Sequence, residues 1–118
     1  MHHVIFLGGA NDILQGRRIE DISRDYKRLL EWCEEKQYSL CVVLPFISTE
    51  QALNRQLLNL RQEAEHICGG KAFLLDLQPA IGMDAGARFK AYVDGIHPKS
   101  QTYEAMGSYA APLIWKWL

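Results

Sequence analysis

Short unbroken apolar runs alternate along this chain with longer stretches in which hydrophobic residues recur every three or four positions. Val4-Ile5-Phe6-Leu7 ends at Gly8-Gly9, and Leu40-Cys41-Val42-Val43-Leu44 ends at Pro45; Ala72–Leu77, interrupted only by Asp76, is a third. Runs of this kind, without polar alternation, predict strands buried on both faces of a parallel sheet. From Arg17 to about Gln37, Ile19, Ile22, Tyr26, Leu29, Leu30 and Cys33 form one apolar stripe, with Arg, Asp, Lys and Glu between them. That spacing predicts an amphipathic helix. A second helix opens at Ser48-Thr49-Glu50-Gln51, where Ser48 and Gln51 have the spacing of a capping box. Its stripe of Leu53, Leu57, Leu60, Ala64 and Ile67 stops at Gly69-Gly70.

Beyond the third strand, Gln78 to Val93 contains Pro79, Gly82 and Gly86 and reads mostly as a loop with at most a short helical turn. A loop of that length inside a compact domain is usually functional. The last helix starts near Pro98, a favoured first-turn residue, and Pro112 is expected to kink or split it. Strands alternating with helices imply an α/β fold: one parallel sheet with helices on both faces. Sites in such folds form beyond the carboxyl ends of the strands. Asn11 follows the first strand, Ser48 the second and the Asp94–His97 segment the third, so these residues converge on one rim.

Composition narrows the field without changing this picture. The 118 residues (13.5 kDa) suit one domain; 48% are hydrophobic and 23% charged, as in ordinary soluble proteins. Net charge is −1, with no basic stripe or stacking aromatics to suggest nucleic acid and no apolar run long enough to span a membrane. Cys33, Cys41 and Cys68 are odd in number, lack metal-ligand spacing and read as buried free thiols, which fits a reducing cytoplasm. We expect no metal and no cofactor; the adjacent His2 and His3 are weak evidence for a metal.

Two segments carry candidate chemistry. In Asp94-Gly95-Ile96-His97-Pro98, a carboxylate stands three residues before an imidazole. If Asp94 binds one ring nitrogen, it fixes the tautomer and frees the other as a base; a plain turn with His97 at a helix entrance is the structural alternative. In Gly8-Gly9-Ala10-Asn11-Asp12, the Asn11 amide could donate to a developing oxyanion, or the segment could simply cap a following turn.

Together, Gly9-x-Asn11-Asp12 after a buried strand and Asp94-x-x-His97-Pro98 before the last helix resemble the SGNH (GDSL-like) hydrolase family. The resemblance covers nearly the whole chain and implies the last three strands of a three-layer, flavodoxin-like parallel sheet lacking its first two strands. It implies His97 as general base, Asp94 as its orienting acid, and Asn11 with Gly9 in the oxyanion hole of an esterase acting on acyl or acetyl esters. The family's Gly-Asp-Ser nucleophile block and the glycine block after it have no counterpart here. The expectation is therefore an N-terminally truncated domain, 1–118, whose nucleophile is unknown. Ser48 lies on the correct rim, yet its capping role accounts for it without chemistry. The alternative is a non-catalytic α/β binding or assembly module derived from that fold. A nucleotide-binding domain is a poorer fit, because Gly8-Gly9-Ala10-Asn11 is too short for a phosphate loop.

Without the first two strands, Val4–Leu7 becomes a sheet edge that is apolar and uncharged, an invitation to pair. We expect a homodimer through that strand, a small ester as substrate if the chain is active, and neither nucleic acid nor membrane as partner.

Overall fold

The computed structural model describes residues 2–118. Three strands, β1 (His3–Leu7), β2 (Ser39–Val43) and β3 (Phe73–Leu75), form one parallel sheet in the order β1-β2-β3. Leu7, Val43 and Leu75 stand level at its carboxyl rim. The connections are α1 (Ala10–Leu14) and α2 (Ile19–Lys36) after β1, then α3 (Gln51–Cys68) after β2. After β3 come α4 (Gln78–Ile81), α5 (Ala85–Ala91) and α6 (Ser100–Trp117).

Strand alternation sorts the core into two layers. Leu40, Val42 and Leu44 face α2 and α3, meeting Ile22, Tyr26, Leu30, Leu57 and Leu60. Cys41, Val43 and Leu75 face the other way, against Ile81, Met106 and Ala110 of α4 and α6. All three cysteines are free and buried, and burial pushes each thiol above its ordinary pKa. They are packing residues here, not nucleophiles.

Four local expectations need correction. First, β1 is not buried on both faces: Val4 and Phe6 pack on the α2–α3 layer, while Ile5 and Leu7 are 51% and 57% exposed. Helix α6 covers β2 and β3 but reaches β1 only at its start, where the His3 ring meets Trp117. Second, Ser48 and Gln51 form no capping box. Glu50 is the α3 N-cap, and Ser48, in the preceding loop, is tied instead to Asn54. Third, most of 78–93 is helical. Pro79 sits in the first turn of α4, where its missing N–H costs nothing, and the Asp84 side chain caps α5 by accepting from Ala87 N–H at 2.8 Å. Residues that usually punctuate loops are here helix starts. Fourth, α6 runs as one helix through Pro112.

Candidate active site

The turn that carries His97 is closed at its base and tied to a neighbour. Val93 N–H donates to His97 O at 2.8 Å, Tyr92 bridges Pro98, and Thr49 N–H donates to Gly95 O at 3.0 Å. Gly95 has φ +85°, and Thr49 Oγ1 occupies the space a Cβ would take there. Within the turn, Asp94 Oδ1 accepts from Ile96 N–H (3.0 Å) and His97 N–H (2.8 Å), while Oδ2 lies 2.7 Å from His97 Nδ1. The backbone N–H of His97, then its side chain and the Ile96 N–H, hold the Asp94 carboxyl down at about 2. Asp94 is thus an anion at neutral pH. An anion on Nδ1 favours the tautomer with its proton on that nitrogen, leaving Nε2 as acceptor.

The opposite wall comes from the end of β1. Gly9, at φ +101°, turns the chain into α1, and a Cβ there would come within 2.7 Å of Leu60 Cδ2. Tyr26 fastens the same turn by donating its hydroxyl to Gly8 O at 3.2 Å. The turn lifts Asn11 into the first turn of α1, exposed, with no hydrogen-bond partner for its side-chain amide among the described residues.

Asn11 and His97 line the same cavity, of about 240 Å³, above the carboxyl rim. Leu7, Leu14, Phe46 and Ile96 make its lining mainly apolar, and Tyr103 closes one side. Asp94 stands behind His97, outside this cavity, as a residue acting through the imidazole would. Gly9 is also outside it; Gly8 lines the wall and Gly9 packs beneath on Leu60 and Tyr26. No serine, threonine or cysteine lines the cavity. Ser48 is 2% exposed, with its Oγ accepting from Glu50 N–H and bonded to Asn54 Oδ1 at 3.0 Å.

The Pro45–Glu50 loop is held from beneath by side chains of the 78–93 segment. Tyr92 Oη donates to Ile47 O at 2.6 Å, and Arg88 donates to Ser48 O at 3.1 Å. Gln78, 2% exposed, accepts from Ile47 N–H at 2.8 Å. Phe89 is 76% exposed and flanks a separate cavity beside Asp94. None of Arg88, Phe89 and Tyr92 lines the Asn11–His97 cavity. Leu14 and Tyr103 do, unforeseen, although each stands one helical turn into the helix that follows its motif, Leu14 after Asn11 and Tyr103 after Lys99, the residue next to Pro98. That helical offset is the one signal that could have found them.

Comparison with known proteins bears on the family and the fold. The model of the GDSL-like lipase/acylhydrolase family matches residues 2–105. The chain belongs to that family. A structure described as a lipolytic protein of the G-D-S-L family, from Desulfitobacterium hafniense DCB-2, superposes with a TM-score of 0.79 at 20% identity, covering 93% of this chain. The chain spans 63% of that protein's length. At this identity the superposition establishes the shared α/β fold, the parallel sheet with helices. No curated protein matches the sequence.

Proposed function

We propose that these residues form the base and oxyanion half of a serine ester hydrolase acting on acyl or acetyl esters. The observation that carries this reading is one cavity shared by Asn11 and an imidazole whose Nδ1 is held by Asp94 at 2.7 Å. His97 Nε2 takes the proton of a serine hydroxyl as its oxygen bonds to the ester carbon. The carbonyl electrons move onto oxygen, where the Asn11 N–H stabilises them. As the tetrahedral intermediate collapses, His97 returns the proton to the departing alkoxide and an acyl-serine remains. Water, activated by the same nitrogen, then releases the acid. Asp94 holds the ring and offsets the imidazolium charge throughout.

On this reading the nucleophile is not one of the residues that line the cavity, among which there is no serine, threonine or cysteine. That same gap favours the second reading, a non-catalytic binding or assembly module on this fold. A fluorophosphonate probe and p-nitrophenyl acetate separate the two. The 118-residue chain alone is expected to take no stoichiometric label and to turn over no faster than its His97→Ala variant. Mixed with a Gly-Asp-Ser-bearing segment of a full-length relative, it should gain turnover that His97→Ala lowers by about 10²–10⁴-fold and Asn11→Ala by about 10²–10³-fold. Labelling of a serine in this chain, or restored turnover indifferent to His97, would overturn the assignment. Failure of restoration with every such segment favours the non-catalytic module.

A further inference from the structure

The turn that carries His97 is well bonded within itself. Asp94 Oδ1 accepts from the Ile96 and His97 N–H groups, and Val93 N–H donates to His97 O. Bonds of this kind give a turn its shape and travel with it. They leave open where the turn stands against the Gly8–Asn11 wall across the cavity. Nor can the Asp94–His97 pair order itself: the two side chains are 52% and 70% exposed, and a pair so open to water contributes little. The place of the imidazole is therefore set by bonds that leave the turn.

Those bonds run in two directions. Toward α6, Ala91 O accepts from Lys99 N–H at 2.9 Å and from the Thr102 hydroxyl at 2.7 Å. Toward the loop after β2, Gly95 O accepts from Thr49 N–H at 3.0 Å, and Tyr92 Oη donates to Ile47 O at 2.6 Å. The second direction matters for the site, because Pro45 and Phe46 of that loop line the cavity beside Asn11 and His97. Of the two loop bonds, Tyr92 makes the buried one. Its residue is 3% exposed, in the apolar layer of Val43, Leu75 and Ile81. A hydrogen bond there is stronger than one in water, and its loss strands a carbonyl. Burial also pushes the phenol above its ordinary pKa, so the hydroxyl stays a donor through the neutral range. The loop it grips is itself fixed: buried Gln78 accepts from Ile47 N–H, and Arg61 donates to Pro45 O, both at 2.8 Å. At the other end, the Tyr92 backbone closes α5 and bridges Pro98, next to His97.

On the reading of His97 as general base, we propose that Tyr92 is a positioning residue: its hydroxyl, bonded to Ile47, sets the imidazole in the cavity shared with Asn11. Tyr92 touches no reacting atom, since it lines the cavity beside Asp94 and not the one that holds His97. It acts by joining the base to the cavity wall, so that Phe46 and His97 keep one mutual geometry.

Tyr92→Phe in the 118-residue chain keeps the buried ring and removes only the hydroxyl. Heteronuclear NMR reads the two His97 ring nitrogens in the neutral ring, with His97→Ala identifying their signals. In the parent, Nδ1 carries the proton, held on Asp94 Oδ2. In Tyr92→Phe, both nitrogens shift toward the values of free histidine. Tyr26→Phe is the control for general loosening: Tyr26 is also buried, and its hydroxyl donates to Gly8 O at 3.2 Å on the opposite wall. It should lower the melting temperature and leave the His97 nitrogens where they are. A Tyr92→Phe chain that melts lower with an unmoved His97 spectrum makes Tyr92 structural only and overturns the proposal. So does an equal shift in Tyr26→Phe, or a parent whose nitrogens already read as free histidine. Turnover plays no part in these spectra, so a failure to restore activity counts against the hydrolase reading alone.

Discussion

Gly9→Ala probes the joint between the core and the site. The residue has φ +101° and ψ −39°, a conformation closed to L-residues, and its missing Cβ would sit 2.7 Å from Leu60 Cδ2 and 3.1 Å from the Tyr26 hydroxyl oxygen. Leu60 is 0% exposed and cannot swing away into solvent. The backbone strain costs about 1–3 kcal/mol and the overpacking about 1–3 kcal/mol. Their sum, about 2–6 kcal/mol, is a large share of the ~5–15 kcal/mol that holds a domain together. At about 4 °C per kcal/mol for a domain of this size, the melting temperature falls by roughly 8–24 °C. Gly16→Ala is the control: φ is +83° there, but no atom lies within 4 Å of the added Cβ, so strain acts alone. Urea denaturation of the parent and both variants, compared at equal m-value, isolates the packing part. A Gly9→Ala loss no larger than that of Gly16→Ala would refute the claim that Leu60 and Tyr26 leave no room at this turn.

Three further outcomes follow from the same contacts. The carboxyl carbon of Asp94, followed by NMR, should titrate with a midpoint at about 2 instead of 3.8; because the folded value is depressed, its contribution to stability is complete above about pH 4 and fades as pH falls through the folded midpoint. His97→Ala should raise that midpoint only in part, since the His97 backbone N–H, the largest cause, remains; a parent midpoint near 3.8 would contradict the hydrogen bonding of the turn. Ser48→Ala strands the Glu50 N–H and an Asn54 bond in a site 2% exposed, so a loss of about 1–3 kcal/mol is expected in chemical denaturation, and a neutral result would show the hydroxyl to be idle. Arg61→Met removes the bonds to Pro45 O and Asp76 Oδ2, both 2.8 Å, from a guanidinium group only 12% exposed; about 1–3 kcal/mol should go with them, and an unchanged midpoint would refute a role for Arg61 in anchoring the Pro45 loop.

The order of elements was legible in the sequence because it depends on local pattern. Leu40–Leu44 is apolar without interruption because β2 is covered on both faces, and Ile22, Tyr26, Leu30 and Cys33 share a helical face because that face meets the sheet. Asp94 and His97 could be paired by eye, since three residues in a turn need no distant partner to meet. What lies across the chain was decided by tertiary structure alone. Val4-Ile5-Phe6-Leu7 resembles β2 in composition, yet only β2 has a neighbour on each side and a helix on each face; the burial of Ile5 depends on what α6 reaches, which no local pattern encodes. Ser48 looked like a cap because Gln51 stands three residues on, but Asn54, brought back by the first turn of α3, won the hydroxyl. Pro79 and Asp84 looked like loop residues because a helix start and a turn use the same side chains, and only the packing of α4 on α6 shows which was built. The shared cavity of Asn11 and His97 was foreseen as far as a common rim. Its apolar walls, from Leu14, Phe46 and Tyr103, arise where three connections meet above the sheet.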